Sequence, residues 1–243
     1  DIIMDRRLSH EIEHGKYLSN KGAGEVWNWE SPAGKVRWKR RVEMLSTDLK
    51  PGDEVLELGC GTGYFTKELV KLNVQIMAID ISPELIDIAK KTIENDNVNF
   101  LIQNAYQMNF NDKKFDSVLG SSVLHHLDIE KAISEIFRVL KHGGHIAFTE
   151  PNMMNPQIAL QKNIPWLKRK LGDSPDETAF FRWKLKKLLT EYGFRNIDII
   201  PFDFLHPAIP KPFIKAFDNI GKIVENIPFI NEIAGSLYIK ATK

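Results

Sequence analysis

The residues richest in chemical potential run from Glu57 to Phe65, Glu-Leu-Gly-Cys-Gly-Thr-Gly-Tyr-Phe, between a short apolar run and a helical pattern. Glycines at 59, 61 and 63 let the backbone turn tightly and let a ligand approach with no Cβ in the way. A strand-to-helix turn at the carboxyl edge of a parallel sheet is where nucleotide-like ligands bind. Dinucleotide sites use Gly-x-Gly-x-x-Gly, whereas here the spacing is Gly-x-Gly-x-Gly and an acid, Glu57, precedes it. A carboxylate there repels a pyrophosphate and suits a cationic ligand group. Asp80 ends the next apolar run, seventeen positions after Gly63, placed to accept hydrogen bonds from both hydroxyls of a ribose.

Three further residues are candidates for proton transfer. His125 and His126 follow the fourth apolar run, and imidazole is the side chain best suited to take a proton near neutral pH. Glu150, ending the fifth run, is placed to bind or deprotonate an acceptor. The competing reading has one histidine packed under the ligand and the other capping a helix. Near the start, Trp27 and Trp29 precede the basic stretch Lys35 to Arg41, in which Arg37 and Arg41 lie one helical turn apart. Such a pair clamps a carboxylate or phosphate, with Trp27 adding apolar contact; a solvated charged face is the alternative. Cys60 is the one cysteine, so neither a disulfide nor a cysteine-based zinc site is expected, and it reads as packing within the loop. No metal is expected either, because the histidines do not pair with acids at ligand spacing on one element. His10 and His14, at i, i+4, read as a solvated or substrate-facing helix.

These groups need a rigid frame, and the chain between 53 and 149 supplies its pattern. Short apolar runs at 55–58, 76–79, 98–102, 115–119 and 146–149 alternate with helical periodicities, the signature of a parallel sheet buried on both faces. Phe65, Leu69 and Leu72 share one helical face, as do Ile86, Ala89 and Ile93, and Ile133, Phe137 and Leu140. Ser82-Pro83-Glu84 predicts a helix start. Residues 151–178 look irregular, a helix is predicted from Phe181 to Tyr192, and two last strands at 196–200 and 237–241. Between those strands, Phe213, Phe217, Ile220, Val224 and Ile227 mark an amphipathic helix.

Composition narrows the partners. With 243 residues the chain suits one large domain, and 33 Lys plus Arg against 32 Asp plus Glu removes the main electrostatic reason for nucleic-acid binding, so none is expected. No run approaches the roughly 20 apolar residues of a membrane-spanning helix, and the polar opening DIIMDRRLSHEIEH does not read as a signal peptide. A reducing, cytoplasmic setting is expected.

Taken together, Val55 to Gly63, Asp80, Phe115 to Leu127 and Arg138 to Asn152 resemble the class I S-adenosylmethionine-dependent methyltransferases. The resemblance covers about residues 45–194 and returns in the last strand. It implies a Rossmann-like, doubly wound, mostly parallel seven-stranded α/β sheet with an antiparallel last strand. Residues 1–44 are expected as an N-terminal helical cap, with cap insertions at about 151–178 and 201–235 of the catalytic domain. The cofactor implied is S-adenosyl-L-methionine. The loop of Gly59, Cys60, Gly61 and Gly63 would hold its methionine end, Glu57 would face the amino group, Asp80 the ribose and Ile81 the adenine. Asn104 and Ala105 match the pair beside the adenine, where an acid is more usual, and Ser121 ends the fourth strand on the same edge. Gly120-Ser121-Ser122 replaces the Asn/Asp-Pro-Pro-aromatic motif of nucleic-acid amino-methylating members. The implied reaction is methyl transfer to an O, N or C atom of a small-molecule or lipid-like acceptor, with peripheral membrane contact a secondary expectation. A nicotinamide-dependent oxidoreductase and a noncatalytic cofactor-binding module are the alternatives.

Overall fold

The computed structural model describes residues 6–22 and 28–243, so the expectation for Trp27 lies outside the described residues. Seven strands form one sheet: β1 (Glu54–Leu58), β2 (Gln75–Asp80), β3 (Val98–Ile102), β4 (Phe115–Ser121), β5 (Leu140–Pro151), β6 (Arg195–Phe202) and β7 (Ser236–Thr242). Their order is β3-β2-β1-β4-β5-β7-β6, with β7 antiparallel to both β5 and β6 and the pairs from β3 to β5 parallel. The order reverses between β1 and β4, and in such sheets the ligand crevice opens at the carboxyl ends of those strands.

Helices cover both faces. They are α1 (Arg6–Lys21), α2 (Pro32–Ser46), α3 (Thr66–Leu69, continued as a 3-10 turn to Leu72), α4 (Pro83–Thr92), α5 (Ile129–Val139), α6 (Pro156–Asn163), α7 (Pro165–Leu171), α8 (Arg182–Glu191) and α9 (Ile214–Val224). Alternate residues of one strand serve two cores. Leu56 packs with Val118, Ile133 and Phe148, whereas Val55 packs with Ile76, Ile86 and Phe202. β3 departs from the fully buried expectation: as an edge strand it leaves Leu101 and Ile102 exposed.

Local chemistry sets the boundaries. Ser82 Oγ accepts the Leu85 N–H and Pro83 opens α4, as the serine-proline pair predicts. Residues 151–178 are irregular only in part, because two short helices occupy 156–171. Pro156 and Pro165 each occupy the first position of a short helix, where the absent N–H costs nothing. At the N-terminal side, α2 is fastened to the far end of the sheet. Arg41 and Arg37 both donate to Asp203 Oδ2, at 2.7 and 2.8 Å, and Arg40 forks onto Glu225 just past α9.

Candidate functional site

A cleft of about 1070 Å³, its solvent-filled mouth included, opens at the reversal point of the sheet. Its floor is the glycine loop. Gly59 has φ +67°, and a Cβ there would lie 2.3 Å from Val123 Cγ2; Gly63 has φ +80°, and a Cβ there would lie 2.6 Å from Ile93 Cδ1. Both positions therefore exclude larger residues by conformation and by space. Gly59, Cys60 and Gly61 line the cleft, while Gly63 lies behind them against α4.

Asp80 stands at the rim of this loop. Its Oδ2 accepts the Gly61 N–H and its Oδ1 the Ser82 N–H, each at 2.9 Å, so it ties β2 to the loop and still offers lone pairs to the cleft. Burial pushes its carboxyl above the usual range against those two donors. A half-buried carboxylate of this kind is matched by the paired hydroxyls of a ribose. Ile81 and Ala105 continue the wall. Asn104 does not: its Oδ1 accepts the Tyr106 N–H, closing its own turn, and Gln103 takes the wall position. The donor set and the side-chain-free cradle fit the S-adenosylmethionine that the sequence resemblance implies, with Asp80, Ile81 and Ala105 toward the nucleoside and Gly59 to Gly61 toward the amino acid.

Glu57 requires a correction. It sits beneath the loop rather than on the cleft wall, accepting Thr66 Oγ1–H at 2.6 Å. Burial raises its carboxyl to about 8, so near neutral pH it is largely protonated in the free protein. Its place is to support the loop, not to face a ligand amine.

Beyond the loop, the cleft is closed by α1 and by the turn after β4. Leu8, Glu11, His14 and Leu18 of α1 face Ser121, Val123 and His126 across it. Ser122, with φ +57°, bends the chain so that the N–H groups of Val123 and Leu124 converge on Glu150 Oε1, at 3.0 and 2.8 Å. His125 adds its backbone N–H, at 3.3 Å, and its Nδ1–H, at 2.7 Å, to Glu150 Oε2. Glu150 is thus a buried acceptor of four donors and does not reach the cleft, which rules out its expected contact with an acceptor. His125 is likewise off the wall. Burial and then the neighbouring His126 lower its pKa, so it is a neutral ring held by Glu150.

His126 does line the cleft, in a different charge state from the one expected of a base. Its Nδ1 is 2.8 Å from Glu11 Oε2, in ion contact without hydrogen-bond alignment, and 3.6 Å from Glu177 Oε1. Burial favours the neutral ring, but Glu177 and Glu11 outweigh it and lift the pKa to about 9. His14, whose ring centroid is 5.9 Å from that of His126, is driven the other way by burial and by the imidazolium. His125, His126 and Glu177 bring ligand-type atoms within 4.8 Å of one another, a grouping from two separate segments that single-element spacing did not suggest. Lys162 Nζ, 2.6 Å from Glu177 Oε2, already neutralises that carboxylate.

Arg37 and Arg41 also depart from expectation. Arg41 is buried against Asp203 and Ser236, and neither guanidinium lines the cleft. Both instead lie over the ring of Trp29, at 5.8 and 5.3 Å, and Trp29 is the residue that forms the wall. Glu11 and Glu177 were not anticipated. For Glu11 a signal exists: with Leu8, Gly15 and Leu18 it falls on one face at i, i+3, i+7 and i+10 spacing. Glu177 carries none.

Comparison with known proteins agrees with this geometry. A family model described as a methyltransferase domain matches residues 56–148. An uncharacterised methyltransferase-like protein of Schizosaccharomyces pombe is 30% identical over 151 residues, 62% of this chain and 57% of that protein. Among solved structures, a chain of the Haloferax volcanii complex between the Trm112 methyltransferase activator and a methyltransferase superposes with TM-score 0.71 at 19% identity, covering 96% of each chain, a likeness of fold. The demethylmenaquinone methyltransferase of Lactobacillus johnsonii is 31% identical over 185 residues, which is 67% of this chain and 75% of that enzyme. With that extent of identity, and with the glycine cradle, Asp80 and the strand order in place, the chain belongs to the class I S-adenosylmethionine-dependent methyltransferases.

Proposed function

We propose that this enzyme transfers the methyl group to an O, N or C atom of a small or lipid-like, largely apolar acceptor seated between α1 and the turn after β4. One observation carries the reading: a single cleft joins the cofactor wall at Asp80 and Gly61 to an apolar chamber formed by Leu8, Leu18, Val123 and Leu127. The Lactobacillus johnsonii relative, named for demethylmenaquinone, is consistent with an acceptor of that character.

S-adenosylmethionine supplies an activated methyl group on a sulfonium leaving group. What the protein must add is alignment in a dry site, which is worth roughly 7 to 11 kcal/mol of barrier lowering. Leu8, Leu18 and Trp29 line the chamber, and the two leucines offer water no polar side-chain partner at those positions. A general base adds about 10²- to 10⁴-fold, and only where the acceptor loses a proton. For such an acceptor the neutral ring of His14 is the proton-accepting candidate, while the imidazolium of His126 orients an electron-rich acceptor atom as a donor. The lone, buried thiol of Cys60 fits a cytoplasmic setting, so recovery of the native protein from an oxidising compartment would contradict that part.

Calorimetric titration with S-adenosylhomocysteine followed by methyl-transfer assays on an acceptor panel tests the proposal. Saturable binding with transfer to apolar acceptors, weakened in turnover but not in cofactor affinity by His14→Ala, is the expected result. Binding of the homocysteine product without transfer to any apolar acceptor, or binding of NADH in its place, would overturn it.

A further inference from the structure

Helix α9 has its amphipathicity reversed with respect to the domain. The face turned inward carries Ile214, Asp218, Gly221 and Glu225: Ile214 packs with Ala33 and Leu205, Gly221 abuts Phe204, and Glu225 accepts from Arg40 and from the Asp203 N–H. The outward face carries Phe217, Ile220 and Ile223, continued by Phe213 before the helix and by Phe229 and Ile230 after it. Phe229 is 90% exposed and Ile223 66%. Of seventeen exposed large hydrophobic residues among those described, eight fall within positions 213–233, so this is a patch and not the usual scatter.

We propose that this surface docks on a lipid bilayer bearing anionic headgroups. Charge supports that occupant. Every acid between 201 and 235 is engaged within the fold: Asp203 by Arg37 and Arg41, Asp218 by Lys222, Glu225 by Arg40 and Glu232 by Arg182. Lys211 and Lys215 have no ion pair among the described residues, so once those acids are matched the surface beside the stripe keeps two uncompensated positive charges. An apolar stripe with one lysine just before the helix and another on its polar flank is the composition of a helix lying in a membrane interface. A second copy is the poorer occupant, because a twofold contact would bring both sets of lysines together. No helix among those described is long and apolar enough to cross a membrane, so the contact is peripheral. The inference does not depend on which acceptor the cleft takes.

Vesicle flotation of the full chain tests it, using phosphatidylcholine alone and phosphatidylcholine mixed equally with phosphatidylglycerol. The protein should float with the anionic vesicles only, and a Phe217→Ser, Ile223→Ser, Phe229→Ser variant should partition about tenfold less while keeping its S-adenosylhomocysteine affinity. Lys211→Glu with Lys215→Glu should also weaken flotation, and this pair decides the matter if the triple variant fails to bind the homocysteine product. Absence of flotation, equal flotation on neutral vesicles, or unchanged flotation of the charge variant would overturn the proposal. So would a dimer in light scattering that the serine variant converts to monomer, since the patch then belongs to a second copy.

Discussion

Asp80, half-buried, and Glu57, fully buried, are carboxyl groups at the same crevice, and their surroundings give them different tasks. Asp80 holds two backbone N–H groups and faces the ligand, so Asp80→Ala should weaken S-adenosylhomocysteine binding by about 1 to 3 kcal/mol, measured by calorimetry on folded protein. Glu57 has one hydroxyl donor and a pKa of about 8 against an ordinary 4.5. The folded state therefore keeps a proton that the unfolded chain has released. Its contribution to stability is complete below the ordinary value and is lost as pH rises through about 8. Glu57→Gln should accordingly flatten the fall in melting temperature between about pH 5 and about pH 8; an unaltered slope would contradict the assigned protonation. The loop and Asp80 were legible because their spacing is local and glycine geometry is specific. Arg37 and Arg41 were misread because Asp203, which claims them, lies more than 160 positions away, and no local pattern names a partner at that separation.

Helix α1 decides what the cleft can hold. Its seat depends on Gly15, where a Cβ would fall 2.4 Å from Ser82 Oγ at the start of α4. Alanine normally favours a helix interior over glycine by about 1 kcal/mol. Here the sign should reverse: Gly15→Ala should destabilise by about 1 to 3 kcal/mol through overpacking and should lower turnover more than cofactor affinity, because Glu11 and His14 move with the helix. Thermal denaturation and kinetics on one preparation check both parts. The existence of α4, α5 and α8 was evident from apolar periodicity and from Ser82-Pro83. The helices at 156–171 were not, since in segments of seven or eight residues the period is too short to register and only the prolines announce them.

At the scale of the molecule, the sheet was the most legible part, because buried parallel strands write themselves as continuous apolar runs. What escaped was convergence. Glu11, His126 and Glu177 come from α1, from the turn after β4 and from the stretch before α8, and only the closed fold makes them neighbours. A ligand spanning these parts should act on the whole. At a hundredfold excess over its dissociation constant, S-adenosylhomocysteine stabilises by about 2.7 kcal/mol. For a chain of this size that corresponds to a rise in melting temperature of about 5 to 10 °C. A comparable rise with NADH and none with S-adenosylhomocysteine would reverse the assignment.

The single thiol offers a clock for loop opening. Cys60 is held above its ordinary pKa first by burial and then by the negative charge of Asp80, joined by Glu57 once that carboxyl ionises above about 8, so the reactive thiolate is scarce while the glycine loop is closed. Iodoacetamide should label the native enzyme far more slowly than the denatured chain, at one point only, and the cofactor product should slow it further. The alkylation rate would then read out breathing of the cradle and its occupancy by ligand, without any reporter being introduced.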